Sequence, residues 1–221
     1  MYVMIVNTKA YKEGMGNEAI KIAKIMEKVG KDTGIKMIIA VQPSDIYQVS
    51  SATSIDVFSQ HVDAIDYGSN TGWILMEAVK NAGASGMLIN HSEHRLRVEN
   101  IYKIVNKAKK NKMESVICAS NADVAKAVSI FSPDYVAIEP PELIGGNISV
   151  TKAKPEIVKK AVEEVNEISN SKVLCGAGIK SGEDVRKAIE LGADGILVAS
   201  GVVKAKNKEK IIKEFAEAMI V

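Results

Sequence analysis

The chain has 221 residues, 47% hydrophobic and 25% charged, with a formal net charge of +2. That is the composition of a soluble globular protein with a sizeable core. The near-neutral balance, with no aromatic-rich basic face, argues against a nucleic-acid partner. The longest apolar runs, such as Met37 to Val41, fall far short of the ~20 residues a membrane span needs, so no membrane association is expected. Met1 leads straight into a strand-like run, so no signal peptide is expected and a cytoplasmic location is. Cys118 and Cys175 each sit in an apolar run and read as reduced, buried thiols. No Cys/His spacing fits a metal site, and His61, His91 and His94 lack a helical His-Glu-x-x-His pattern.

Short apolar runs alternate with longer amphipathic segments along the whole chain. Strands are predicted at Tyr2–Val6, Lys36–Val41, Asp56–Ser59, Gly86–Ile89, Ser115–Cys118, Tyr135–Ile138, Lys172–Cys175 and Gly195–Val198. Helices are predicted at Asn17–Val29, from Ser44 after Pro43, and from Thr71 through Ile74, Leu75, Ala78 and Val79. Further helices follow at Val98–Lys110, Ala122–Ser129, Pro155–Ile168, Gly182–Leu191 and Lys208–Met219. Pro155 suits a first helical turn, and Gly192 suits a helix end.

Eight strand-plus-helix units with near-continuous apolar strands call for a parallel sheet buried on both faces. In about 220 residues this fits one (β/α)8 barrel domain spanning residues 1–221. The rival, a doubly wound open sheet, needs a glycine fingerprint after its first strand, where this chain has Asn7-Thr8-Lys9.

In such a barrel the carboxyl ends of the strands share one rim, where catalysis sits. The first strand delivers Asn7 and Lys9, which alternate and point the same way. The fourth delivers His91 and Glu93. The sixth ends in Glu139, which Pro140 biases towards extended backbone. The seventh and eighth end in Gly176-Ala177-Gly178 and Ala199-Ser200-Gly201, small enough for close approach of backbone N–H groups to an anion. Each has a plainer reading: Lys9 solvated, Glu139 or His91 a helix cap, the glycines plain turns. Their convergence on one rim favours a site. A carboxylate base, a neutral imidazole and an ammonium suit proton abstraction beside a carbonyl. Ser92 resembles an N-cap, which would put His91 by a helix N-terminus and keep it neutral.

The motifs Asn7-Thr-Lys9, Asn90-His91-Ser-Glu93, Ala137-Ile-Glu139-Pro140, Leu143-Ile-Gly145, Leu174-Cys-Gly-Ala-Gly178 and Leu197-Val-Ala-Ser-Gly201 together resemble the triosephosphate isomerase family, in its short archaeal form. The resemblance runs from the first strand to the last. It implies a TIM barrel that interconverts D-glyceraldehyde 3-phosphate and dihydroxyacetone phosphate in glycolysis and gluconeogenesis, without a cofactor or metal. It implies Glu139 as base, His91 as neutral electrophile, and Lys9, with Asn7 beside it, offsetting substrate charge; these roles are a worked example of the family's chemistry. Glu93 resembles the carboxylate that supports that lysine. Gly178, Ala199 and Ser200 match the phosphate cradle, and Ile144 and Gly145 match lid residues that close over the substrate.

Two departures stand out. The lid apex reads Gly145-Gly146-Asn147 where the family usually has Gly-Thr-Gly, and Gly178 replaces a serine of the longer forms. The segment Gly68 to Gly72 resembles a loop that reaches into a neighbouring subunit, and Trp73 after it reads first as helix packing and second as an interface anchor. The resemblance implies a homo-oligomer, a tetramer in preference to a dimer. Another phosphosugar isomerase, an aldolase or an inactivated binding barrel are the competing readings. An aldolase needs a Schiff-base lysine on a central strand, and none is found, while the complete Asn7, Lys9, His91 and Glu139 set argues against the last.

Overall fold

This computed structural model describes residues 1–140 and 155–220. The strands β1 (Val3–Asn7), β2 (Lys36–Val41), β3 (Asp56–Ser59), β4 (Gly86–Ile89), β5 (Glu114–Ala119), β6 (Tyr135–Ile138), β7 (Lys172–Cys175) and β8 (Gly195–Val198) close into one parallel barrel in sequence order. The closing seam pairs β1 with β8, Val3 against Gly195 through Val6 against Val198. Gly195 permits that closure, because a Cβ there would lie 1.9 Å from the Val3 carbonyl oxygen.

The strand sequences are apolar on both faces because both faces are buried. Val3, Ile5, Ile38, Ala40, Phe58, Leu88, Cys118, Ala137, Leu174 and Leu197 fill the barrel. Their neighbours Met4, Val6, Ile39, Ile89, Ile138 and Val198 face the helices. This period of two decides which residues just past each strand enter the barrel mouth. Asn7 continues the inward row of Val3 and Ile5, and Glu139 continues that of Tyr135 and Ala137.

The outer layer comprises α1 (Asn17–Thr33), α2 (Ile46–Ser50), α3 (Met76–Asn81), α4 (Val98–Asn111), α5 (Ala122–Ser129), α6 (Pro155–Asn166), α7 (Gly182–Glu190), α8 (Ser200–Val203) and α9 (Lys208–Ala218). The longer ones bury a stripe at helical spacing, as α1 does with Ala19, Ile22, Ala23, Met26 and Val29. Gly34 ends α1 in left-handed geometry. Asn121, Ser181 and Asn207 cap α5, α7 and α9 through their side chains.

Three expectations need correction. The helix expected from Thr71 starts at Met76. Asp63 explains the delay: its Oδ2 accepts the Ile74 N–H at 2.7 Å, and its own N–H donates to the Ile74 carbonyl at 2.8 Å. That pairing keeps Ile74 out of the helix, and Leu75, extended at φ −76°, ψ 132°, becomes the N-cap. Trp73 is therefore outside any helix and 60% exposed, so it does not pack a helix. Ser92 caps nothing; α4 begins at Val98 with Arg97 as its N-cap. The expected lid, with Ile144, Gly145, Gly146 and Asn147, lies outside the described residues.

Candidate active site

The carboxyl ends of β1, β4, β6, β7 and β8 surround a cavity of about 400 Å³, lined by Asn7, Lys9, His91, Glu93, Glu139, Gly178, Ala199 and Ser200, among others. Every described residue singled out in the sequence for chemistry is on this wall.

Lys9 stands just beyond β1 in left-handed geometry, φ 50°. An L residue holds that conformation only when neighbours enforce it. Asn7 Oδ1 accepts the Lys9 N–H at 2.9 Å. The Gln60 amide donates to the Lys9 carbonyl at 3.1 Å, and to Thr8 Oγ1 and the Ala40 carbonyl. The turned backbone presents the Lys9 ammonium to Glu93, Nζ to Oε1 2.8 Å, with only 11% of the lysine side chain exposed. Gln60 was missed in the sequence because glutamine after a strand carries no spacing signal.

His91 is 8% exposed. Its Nδ1 accepts the backbone N–H of Glu93 at 3.1 Å. A ring nitrogen that accepts carries no proton, so a neutral His91 holds its proton on Nε2. The turn at Glu93 thus selects the tautomer, and no helix N-terminus stands at His91 as the sequence reading expected for keeping the ring neutral, because α4 starts at Val98. The same acceptor role means that Glu93 Oε2, 3.6 Å from Nδ1, forms no ion pair with it.

Nε2 lies 3.4 Å from Glu139 Oε1. Glu139 is 4% exposed, and its Oε2 has no hydrogen-bond partner among the described residues. An ionised carboxylate oxygen left so costs on the order of 1–3 kcal/mol or more. Gly176 makes room for it: a Cβ there would stand 2.6 Å from Glu139 Cγ. Beneath lies Cys118, whose thiol is pushed well above its usual range by burial first and then by the Glu139 charge. Burial pushes Cys175 up to about 12. Both cysteines are free and buried, as expected.

Gly178 is left-handed at φ 68°. Ala199 is the N-cap of α8, which Ser200 opens. The sequence did not reveal this one-turn helix, because Ser-Gly-Val-Val carries no helical period. No group of three or more His, Cys, Asp or Glu side chains among the described residues could hold a metal ion. No helix of the described residues is long and apolar enough to cross a membrane.

A closed parallel barrel with a carboxylate, an imidazole and an ammonium gathered at its C-terminal rim has the architecture of a (β/α)8 enzyme. A family model described as triosephosphate isomerase matches residues 2–215. The chain is 48% identical over 218 residues to the triosephosphate isomerase of Methanothermus fervidus, covering 98% of each. It is 49% identical over 213 residues to that of Methanocaldococcus jannaschii, covering 96% of this chain and 97% of the other. Among solved structures, a triosephosphate isomerase from Bartonella henselae shares the fold, with a TM-score of 0.78 at 17% identity over 100% of this chain and 99% of that one. The chain belongs to the triosephosphate isomerase family.

Proposed function

We propose that this chain interconverts D-glyceraldehyde 3-phosphate and dihydroxyacetone phosphate by proton transfer, with Glu139 as base and His91 as electrophile. Glu139 removes the proton from the carbon beside the carbonyl. His91 Nε2–H donates to the carbonyl oxygen as negative charge develops there, and the Lys9 ammonium offsets that charge. His91 Nε2 relays the hydroxyl proton from one oxygen of the enediolate to the other, and Glu139 returns the carbon proton to the neighbouring carbon, which exchanges aldehyde for ketone. Asn7 holds the Lys9 turn, and Glu93 serves both partners, its carboxylate on Lys9 and its N–H on His91. The phosphate rests on the small-residue rim at Gly178, Ala199 and Ser200.

The observation that carries this reading is the pairing of a buried carboxylate, one oxygen unpartnered, with an imidazole whose Nδ1 is already accepting. A base needs an available lone pair, and an electrophile needs its proton on the facing nitrogen. A coupled assay on D-glyceraldehyde 3-phosphate tests it: turnover supports the reading, and none from folded protein rejects it.

As part of the same reading, the chain is one barrel domain, cytoplasmic, and a homotetramer in preference to a dimer. Exposed Tyr67 and Trp73, 75% and 60%, support a partner-facing loop. Light scattering at micromolar concentration separates the oligomers by mass.

A further inference from the structure

The strand period does not explain how His91 reaches the cavity. Leu88 faces the barrel interior and Ile89 faces the helices. Continued alternation would turn position 90 inward and position 91 outward. Yet His91 lines the cavity. The reversal occurs at Asn90, which is left-handed at φ 59°. Asparagine adopts that conformation more readily than other residues with a Cβ, but adopting it does not by itself fix the direction of the chain beyond.

The Asn90 side chain supplies that direction. Its Nδ2 donates to the Cys118 carbonyl on β5 at 3.1 Å, and its Oδ1 accepts the Leu96 N–H at 3.0 Å. Its carbonyl accepts from Arg95 Nη1 at 2.9 Å. One buried amide, 7% exposed, thus ties the far end of the 91–96 turn to the barrel wall. Inside this loop the His91 carbonyl accepts the His94 N–H at 2.8 Å, and His91 Nδ1 accepts that of Glu93. The wall it is tied to is β5, the strand between those carrying His91 and Glu139, and the Cys118 thiol on β5 interacts with Glu139.

We propose that Asn90 is a positioning residue for the isomerisation: its amide, bridging β5 and the Leu96 N–H, sets the place of His91 relative to Glu139. Asn90 touches neither cavity nor substrate and acts through His91. The inference rests on the catalytic role of His91, so the experiment separates the two.

The test compares steady-state kinetics of the parent, Asn90→Gly, Asn90→Asp, His91→Ala and the Asn90→Gly/His91→Ala double variant, with folding followed by circular dichroism. Glycine accepts the left-handed backbone without strain and removes only the amide. Aspartate keeps the acceptor for Leu96 but loses the donor to Cys118. A displacement of about 1 Å costs on the order of 10²-fold in rate. The expected result is a kcat for Asn90→Gly lower by roughly 10- to 100-fold, a KM within about twofold of the parent, and a smaller loss for Asn90→Asp. With His91→Ala already present, Asn90→Gly should remove nothing further, because its route is gone. The proposal is overturned by an Asn90→Gly kcat within about twofold of the parent, by a loss confined to KM, or by the same loss recurring in the His91→Ala background. Should Asn90→Gly fail to fold, Asn90→Asp carries the same comparison. Parent-like turnover in His91→Ala would instead remove His91 from its role, and the inference with it.

Discussion

The Lys36 cluster and Glu139, at opposite ends of the barrel, handle charge in opposite ways. At the amino ends of the strands, Lys36 of β2 meets Glu114 of β5 at 2.7 and 2.8 Å and Asp56 of β3 at 3.3 Å. The Tyr135 hydroxyl of β6 donates to Glu114 at 3.5 Å. Burial lowers the Lys36 pKa, but Glu114, Tyr135 and Asp56 together raise it above its ordinary value. The charges there are mutually satisfied. At the carboxyl ends, Glu139 keeps Oε2 without a partner among the described residues, and its other oxygen lies 3.4 Å from His91 Nε2. Charges that satisfy one another add to stability, whereas an unpartnered carboxylate is a cost the fold carries elsewhere and a lone pair available for chemistry. Substitutions at the two ends should therefore separate activity from stability.

The largest effect should come from Glu139→Asp. Withdrawing the carboxylate by one methylene should lower kcat by about 10²–10³-fold. Because an unpartnered oxygen is moved and no paired one is lost, Tm should stay within a few degrees, as calorimetry would show. His91→Ala should cost about 10²-fold in kcat, within the usual range for a positioned acid. A matching fall in Tm for either variant would erase the distinction between the ends.

The converse is Lys36→Met. It leaves Glu114 and Asp56 without their cation at a partly solvated site, where the lysine side chain is 20% exposed and Glu114 34%. Discounted for solvent screening, the loss should be about 1–2 kcal/mol, or a Tm lower by about 2–8 °C for a chain of this size. Turnover at 25 °C should match the parent. A kcat loss would mean that the lower end also tunes the upper.

The alkaline limb of stability sharpens the same contrast. A group whose folded pKa is raised adds stability that is complete below its unfolded pKa and is lost as pH climbs through its folded one. Cys175 rises from 9.0 to about 12, so its share should fade from about pH 9 upward. Lys36 starts from 10.5, so its share fades only above that. Urea midpoints should fall between pH 8 and 10 in the parent, and less steeply in Cys175→Ala. Each group contributes at most about 1.4 kcal/mol per pH unit. An equal slope in the variant would assign the limb to other groups.

Much of this architecture is legible in the sequence because a strand buried on both faces leaves a short unbroken apolar run. Asp56–Ser59, Gly86–Ile89 and Tyr135–Ile138 are bounded in the structure as their residues suggest. Glu139 and Asn7 could be aimed inward by counting in twos. The features hidden from the sequence depend on distant partners. The delay of α3 needs Asp63 to reach Ile74 across eleven residues. The His91 tautomer needs the turn at Glu93, on which the sequence reading was silent, and the helix start it placed at Ser92 lies at Val98. The reversal at Asn90 and the Gln60 clamp each depend on contacts with other strands, which no local period encodes.

The central claim is that Glu139 transfers a proton between substrate and enzyme. It is tested most directly by running dihydroxyacetone phosphate to product in D2O with the parent and with Glu139→Gln, following carbon-bound deuterium by NMR. The expected product is labelled at the former carbonyl carbon, the one that becomes tetrahedral, and both labelling and turnover should fall by at least about 10²-fold in the variant. Turnover by the parent with no deuterium in the product, or labelling by Glu139→Gln at the parent rate, would contradict it.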